Sequence, residues 1–180
     1  MKKKLIILLV FLSTSLSVFS QIDPNSDNPA VHQNSRSGFL NTTEINFAFG
    51  LADIEPDYSR HFVGMTSVFG LGIIRNLDGG IGAGISFYNG GMLFPLYLDL
   101  RYSFNFGRIS TYGFGDGGLL FDFTDSEGEN RLFINPGAGI SYHFSNKLTG
   151  NIGAGLFLQT TKDKSHDSFI NFKLGITYEL

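Results

Sequence analysis

Cysteine and tryptophan are absent from this chain, proline occurs 5 times in 180 residues, and charge is sparse, with 13 Lys and Arg against 16 Asp and Glu. Each shortage closes off a class. Without cysteine there is no disulfide framework, no Cys-based metal site and no lipid anchor on a mature N-terminal cysteine. A net charge of -3 and a pI near 5.7 provide no basic footprint, so nucleic acid is not an expected partner. The apolar run Leu5 to Leu12 is too short for a membrane-spanning helix. What the chain has in excess is glycine, 23 residues, and phenylalanine, 19. Glycine without proline-rich low complexity, joined to abundant Phe, suits many close-packed strands better than helices.

The N-terminus follows a different logic. Lys2, Lys3 and Lys4 form a basic region, Leu5 to Leu12 an apolar one, and Val18-Phe19-Ser20 a cleavage segment, so residues 1–20 read as a secretory signal peptide. Residues 21–40 are rich in Asn, Ser, Asp and Pro and have no periodicity, which predicts a flexible periplasmic lead containing a solvated His32. Residues 41–180 are then the one domain.

Within that domain apolar and polar residues alternate almost without pause. The last segment, Ser168 to Leu180, is the clearest: Ile170, Phe172, Leu174, Ile176, Tyr178 and Leu180 share one parity, and Asn171, Lys173, Gly175, Thr177 and Glu179 the other. Ile45 to Leu51, Val63 to Ile73, Ile81 to Tyr88, Phe94 to Phe104, Leu132 to Phe144 and Leu148 to Leu158 repeat the pattern. The stretch from Ile109 to Phe123 is predicted as a strand with a bulge, because G-F-G-D-G-G at 113–118 confuses its parity. A turn is expected at 76–80 (N-L-D-G-G) and another at 89–91. The count is eight strands, each near the roughly 9 to 11 residues that cross a bilayer at a tilt.

Two barrels alternate this way. A soluble eight-stranded barrel turns its bulky apolar face inward; a membrane barrel turns it to lipid. Here the face opposite the bulky residues carries Gly64, Gly70, Gly72, Gly82, Gly84, Gly137, Gly139, Gly153, Gly155 and Gly175. A water-facing surface has no need of missing side chains, whereas a narrow interior does. The reading is therefore an all-β, eight-stranded antiparallel transmembrane β-barrel, an up-and-down meander, with Tyr102, Tyr142 and Tyr178 in an interfacial girdle.

The polar Lys173, Gly175 two residues on, and the apolar Tyr178 and Leu180 resemble the C-terminal assembly signal of bacterial outer-membrane barrels. The domain as a whole resembles small outer-membrane barrels of the OmpA/OmpX type. That resemblance implies export, residence as a monomer among outer-membrane lipids, and insertion by the barrel assembly machinery through the last strand. It brings no catalytic residue with it.

Chemistry-bearing residues fall into three groups. Glu44, Asp99, Arg101, Lys173 and Glu179 have inward parity, which predicts a salt-bridged plug, or on the sharper reading a gated ion path. His143 and Ser145 in H-F-S-N resemble the catalytic segment of outer-membrane lipid A deacylases, which implies His143 as base and Ser145 as nucleophile. Against that, Leu148 to Gln159 contains no carboxylate to orient the histidine. Asp125, Glu127 and Glu129 lack the full ligand set of a calcium loop and read as a solvated acidic loop. No catalytic, cofactor or metal site is expected. Function would lie in the loops 52–61, 124–131 and 160–168, serving envelope structure, adhesion or recognition; the alternatives are a lipid-modifying enzyme and a narrow channel.

Overall fold

The computed structural model describes residues 38–51, 60–122, 130–160 and 166–180. Eight strands follow in order: β1 (Phe39–Gly50), β2 (His61–Ile74), β3 (Leu77–Tyr88), β4 (Gly91–Phe106), β5 (Ile109–Asp122), β6 (Arg131–His143), β7 (Leu148–Thr160) and β8 (His166–Glu179). Every strand pairs antiparallel with its sequence neighbour, and β1 pairs with β8 from Leu40↔Glu179 to Gly50↔Phe169, so the sheet closes on itself. Closure removes both edges and satisfies the backbone groups that hydrocarbon could not. A 12-residue strand at about 3.4 Å per residue and about 40° of tilt rises about 30 Å, more than the roughly 25 Å apolar band of such barrels.

Period-2 alternation sets the two faces. Along β4, Leu96, Leu98, Leu100, Tyr102 and Phe104 are exposed while Tyr97, Asp99 and Arg101 are buried; along β8, Ile170, Phe172, Leu174 and Ile176 are exposed while Asn171, Lys173, Gly175 and Thr177 are buried. The outside is thus a continuous coat of Ile, Leu and Phe, and the polar groups are inside. That arrangement inverts a water-soluble protein and suits hydrocarbon.

Three expectations need correcting. β5 has no bulge: its pairing runs unbroken from Leu93↔Asp122 to Phe106↔Ile109 and from Ile109↔Tyr142 to Leu120↔Arg131. The parity looked confused because bulk is reversed there, with Tyr112, Phe114 and Asp116 inside and Gly113, Gly115 and Gly117 outside. The register shift lies instead at Gly72/Ile74, between β2 and β3. Leu77 to Gly80 belongs to β3, and the turn before it is Arg75-Asn76, with Asn76 taking the left-handed φ of 68°. Finally, β1 begins at Phe39, two residues inside the stretch read as lead, and His61, Arg131, Thr160 and His166 to Ser168 are strand residues at the edges of the expected loops.

At several inner-face positions glycine is the footprint of an aromatic ring. A Cβ on Gly82 would run into the ring of Tyr97, its partner across β3–β4, and one on Gly137 into the ring of Phe114. These rings lie flat against neighbouring backbone, which is how large side chains fit into eight strands.

Candidate functional site

The interior is the part of the described molecule where polar chemistry collects, and it is stratified. At the end bearing the long connections, Phe62, Tyr88, Leu93, Tyr97, Leu120, Phe133, Phe157 and Phe169 make one buried cluster. Phe133 and Phe157 stack at 4.9 Å and 18°, and Phe62 meets Tyr88 at 4.8 Å, Phe157 at 5.2 Å and Phe169 at 5.5 Å. Phe169 and Leu120 have no exposed surface. At the upper margin Tyr88 Oη donates to Gln159 Oε1 (3.2 Å), and Gln159 Nε2 donates to Asp167 Oδ2 (3.2 Å).

Below this lies an ionic layer drawn from four strands. Arg101 on β4 grips Asp99 with two nitrogens (Nε–Oδ1 3.0 Å, Nη2–Oδ2 3.0 Å) and reaches Glu44 Oε1 on β1 with Nη2 (2.8 Å). Lys173 on β8 bridges Glu44 Oε2 (3.0 Å) and Asp116 Oδ2 on β5 (2.6 Å), and Asn135 Nδ2 on β6 adds a bond to Asp116 (2.9 Å). The cations also lie over rings, Lys173 Nζ 4.5 Å from the Phe114 centroid and Arg101 Cζ 5.7 Å from that of Tyr112. Charges removed from water persist only when paired and hydrogen-bonded in this way.

The layer nearest the termini is built mostly of hydroxyls and amides, with Asp78 the carboxylate on its wall. Ser141 Oγ donates to Asn151 Oδ1 (2.7 Å), Asn151 Nδ2 to Thr177 Oγ1 (2.8 Å), and Thr177 meets Thr42 across the β8–β1 seam (2.8 Å). A cavity of about 30 Å³ opens among these groups, bordered above by Asp99, Arg101 and Tyr112.

Four of the five charges expected to face inward, Glu44, Asp99, Arg101 and Lys173, are brought together; Glu179 lies at the terminal rim in register with Leu40. The member that sequence reasoning missed is Asp116. Its signal was available: counting parity from Ile109 through the glycines places it inside, directly opposite Asp99.

The resemblance at H-F-S-N fares differently. His143 bonds Ser110 Oγ through Nε2 (2.8 Å) and Thr149 Oγ1 through Nδ1 (2.9 Å), while Ser145 sits in the β6–β7 turn, where its Oγ accepts from the backbone N–H of Lys147 (3.3 Å) and Leu148 (3.1 Å). His143 and Ser145 are not partners. Ser110 is 2% exposed, and its hydroxyl donates to Asn105 Oδ1 (2.7 Å), so its proton points away from the imidazole. A base that abstracts a proton must hold that proton in its own hydrogen bond. Asp125, Glu127 and Glu129, with Lys162, Asp163 and Lys164, lie outside the described residues.

Structural neighbours share this architecture. Neisserial surface protein A superposes with a TM-score of 0.62 at 11% identity, over 82% of this chain and all of that one. OprG of Pseudomonas aeruginosa, an outer-membrane protein, superposes at 0.55 and 10% identity, over 82% of this chain and 98% of that one. The fold is that of a small outer-membrane β-barrel. No protein-family model and no curated protein matches the sequence.

Proposed function

We propose that this is a non-enzymatic, non-conducting outer-membrane barrel that works as a monomer and presents its loops outside the cell for envelope structure, adhesion or recognition. Residues 1–20 serve as a cleaved signal peptide, the stretch up to β1 as a periplasmic lead, and β8 as the strand handled by the assembly machinery. The start of β1, the end of β8 and the turns β2–β3, β4–β5 and β6–β7 share one rim, while the opposite rim carries the longer connections after β1, β5 and β7 together with the two-residue β3–β4 turn. We assign the first rim to the periplasm, since barrels of this kind keep short turns there and long loops outside. The loops 52–61, 124–131 and 160–168 fall largely outside the described residues, and their role rests on where they stand in the chain.

The observation that carries the reading is the filled lumen. An aromatic layer and a paired ionic layer lie in series, so an ion crossing the barrel would have to displace both. The lipid-modifying alternative draws no support from a Ser110 whose proton is committed to Asn105. Single-channel recording of the purified mature protein in planar bilayers tests the main reading. The expected trace is a flat baseline with no stable unit conductance, whereas large, long-lived openings would replace this proposal with a channel.

A further inference from the structure

One rim carries three cations that form no ion pair among the described residues. The turns β2–β3, β4–β5 and β6–β7 contain Arg75, Arg108 and Lys147, one each, and all three residues are exposed. Among the described residues none of the three side chains forms an ion pair, although the chain as a whole is acidic. Strand order spreads these turns around three quarters of the rim, and the β8–β1 seam with the termini fills the last quarter.

The turn geometry holds the cations at the margin. Arg75 precedes Asn76 in a two-residue turn, and Arg108 follows Gly107, whose φ of 73° lets the chain reverse between Phe106 and Ile109. Just inside this ring the outer surface is aromatic. Phe39, Phe104, Phe106 and Phe144 are 53 to 70% exposed, and Tyr102 and Tyr142 meet Phe104 and Phe144 edge-on at 5.0 and 5.2 Å. Tyr178 shares the outward parity of these tyrosines but is 8% exposed, so it adds little to the belt. Aromatic rings sit at headgroup depth, and Lys or Arg beside them attracts anionic headgroups.

We propose that this rim is a binding belt for anionic phospholipid, with the phosphodiester and its negative charge at Arg75, Arg108 and Lys147 and the acyl chains along the aromatic band. Neutral headgroups also carry a phosphate, so the discriminating feature is net charge, read by cations that pair with no carboxylate among the described residues. Placing the belt in the periplasmic leaflet rests on the orientation proposed above; the belt itself does not.

Native mass spectrometry of the folded mature barrel in neutral detergent, with equimolar phosphatidylglycerol and phosphatidylcholine, tests the belt independently of orientation. The wild type should retain phosphatidylglycerol in preference. Arg75→Gln, Arg108→Gln and Lys147→Gln should each lower that preference about fivefold, equivalent to about 1 kcal/mol per cation. Arg60→Gln, at the opposite rim, should leave it unchanged. The belt is refuted if the three single variants, folded by heat-modifiability, keep the wild-type preference, or if Arg60→Gln loses as much as they do. Full displacement of the lipid by excess inorganic phosphate would likewise refute it, since a simple anion site has no use for the acyl chains. Accessibility labelling of the same rim in intact cells reports the orientation separately.

Discussion

The two ends of the lumen are built from opposite materials. Toward the loops the interior is dry, packed with Phe62, Phe133, Phe157 and Phe169, and its stability comes from area removed from water and rings in contact. Toward the termini the interior is a mesh of hydroxyls and amides around a cavity of about 30 Å³, which has room for about two water molecules. The ionic layer of Glu44, Asp99, Arg101, Asp116 and Lys173 lies at the boundary. A packed apolar half has nothing to replace a lost side chain, whereas a half open to water can substitute for one. Substitution costs should therefore fall from the boundary layer and the dry half to the wet one.

The largest effect is expected at the boundary. Lys173→Met removes the ammonium that bridges Glu44 and Asp116, leaving three buried carboxylates around Arg101. Breaking a buried pair from one side costs about 3 to 5 kcal/mol, and two partners lost together put this variant at the upper end. Urea unfolding in detergent micelles should show the loss as a shift in midpoint with little change in slope. A midpoint within error of wild type would mean that the layer is hydrated and the boundary is misplaced. Phe169→Ala probes the dry half. The ring has no exposed surface and lies between Phe62, Phe157 and Tyr88 at 5.5, 6.2 and 6.5 Å, so its removal leaves a cavity that no neighbour fills. A loss in the lower part of about 3 to 5 kcal/mol is expected in the same titration. A loss below about 1 kcal/mol, as for a surface site, would count against a packed aromatic layer.

Most of the architecture was legible because alternation survives even where composition is unusual. β4 and β8 could be read residue by residue, and Asp99, Arg101 and Lys173 fell on the inner face by parity alone. What misled was using bulk to decide direction. Over Tyr112 to Gly117 of β5 the large residues are inside and the glycines outside, so Asp116 hid in a segment that looked irregular although its register is continuous. The aromatic layer was hidden for a related reason. Some inner glycines, such as Gly82 under Tyr97 and Gly137 under Phe114, mark places where a ring from an adjacent strand lies down, and that pairing exists only once register is known. The contacts of His143 depended on register too: Ser110 is 33 residues away in sequence, and Ser145, two residues away, belongs to the turn.

The smallest expected effect tests the wet half. Thr177 sits in the β8–β1 seam, where its Oγ1 accepts from Asn151 Nδ2 (2.8 Å) and meets Thr42 Oγ1 (2.8 Å). Thr177→Val preserves shape and removes both bonds, and in a dry interior the stranded partners would together cost several kcal/mol, about 1 to 3 for each unsatisfied group. Here Thr42, Asn151 and Thr177 all line the open cavity, so water can reach the groups left behind and restore most of what is lost. The net cost should then be about 1 kcal/mol, close to that of ordinary hydrogen bonds exchanged for water. Because β1 and β8 are also joined by a full ladder from Leu40↔Glu179 to Gly50↔Phe169, closure should persist and the heat-modifiable folded band should be unchanged. If Thr177→Val instead destabilises as much as Phe169→Ala, the cavity does not hydrate its walls, and the contrast between the two halves reduces to one of polarity alone.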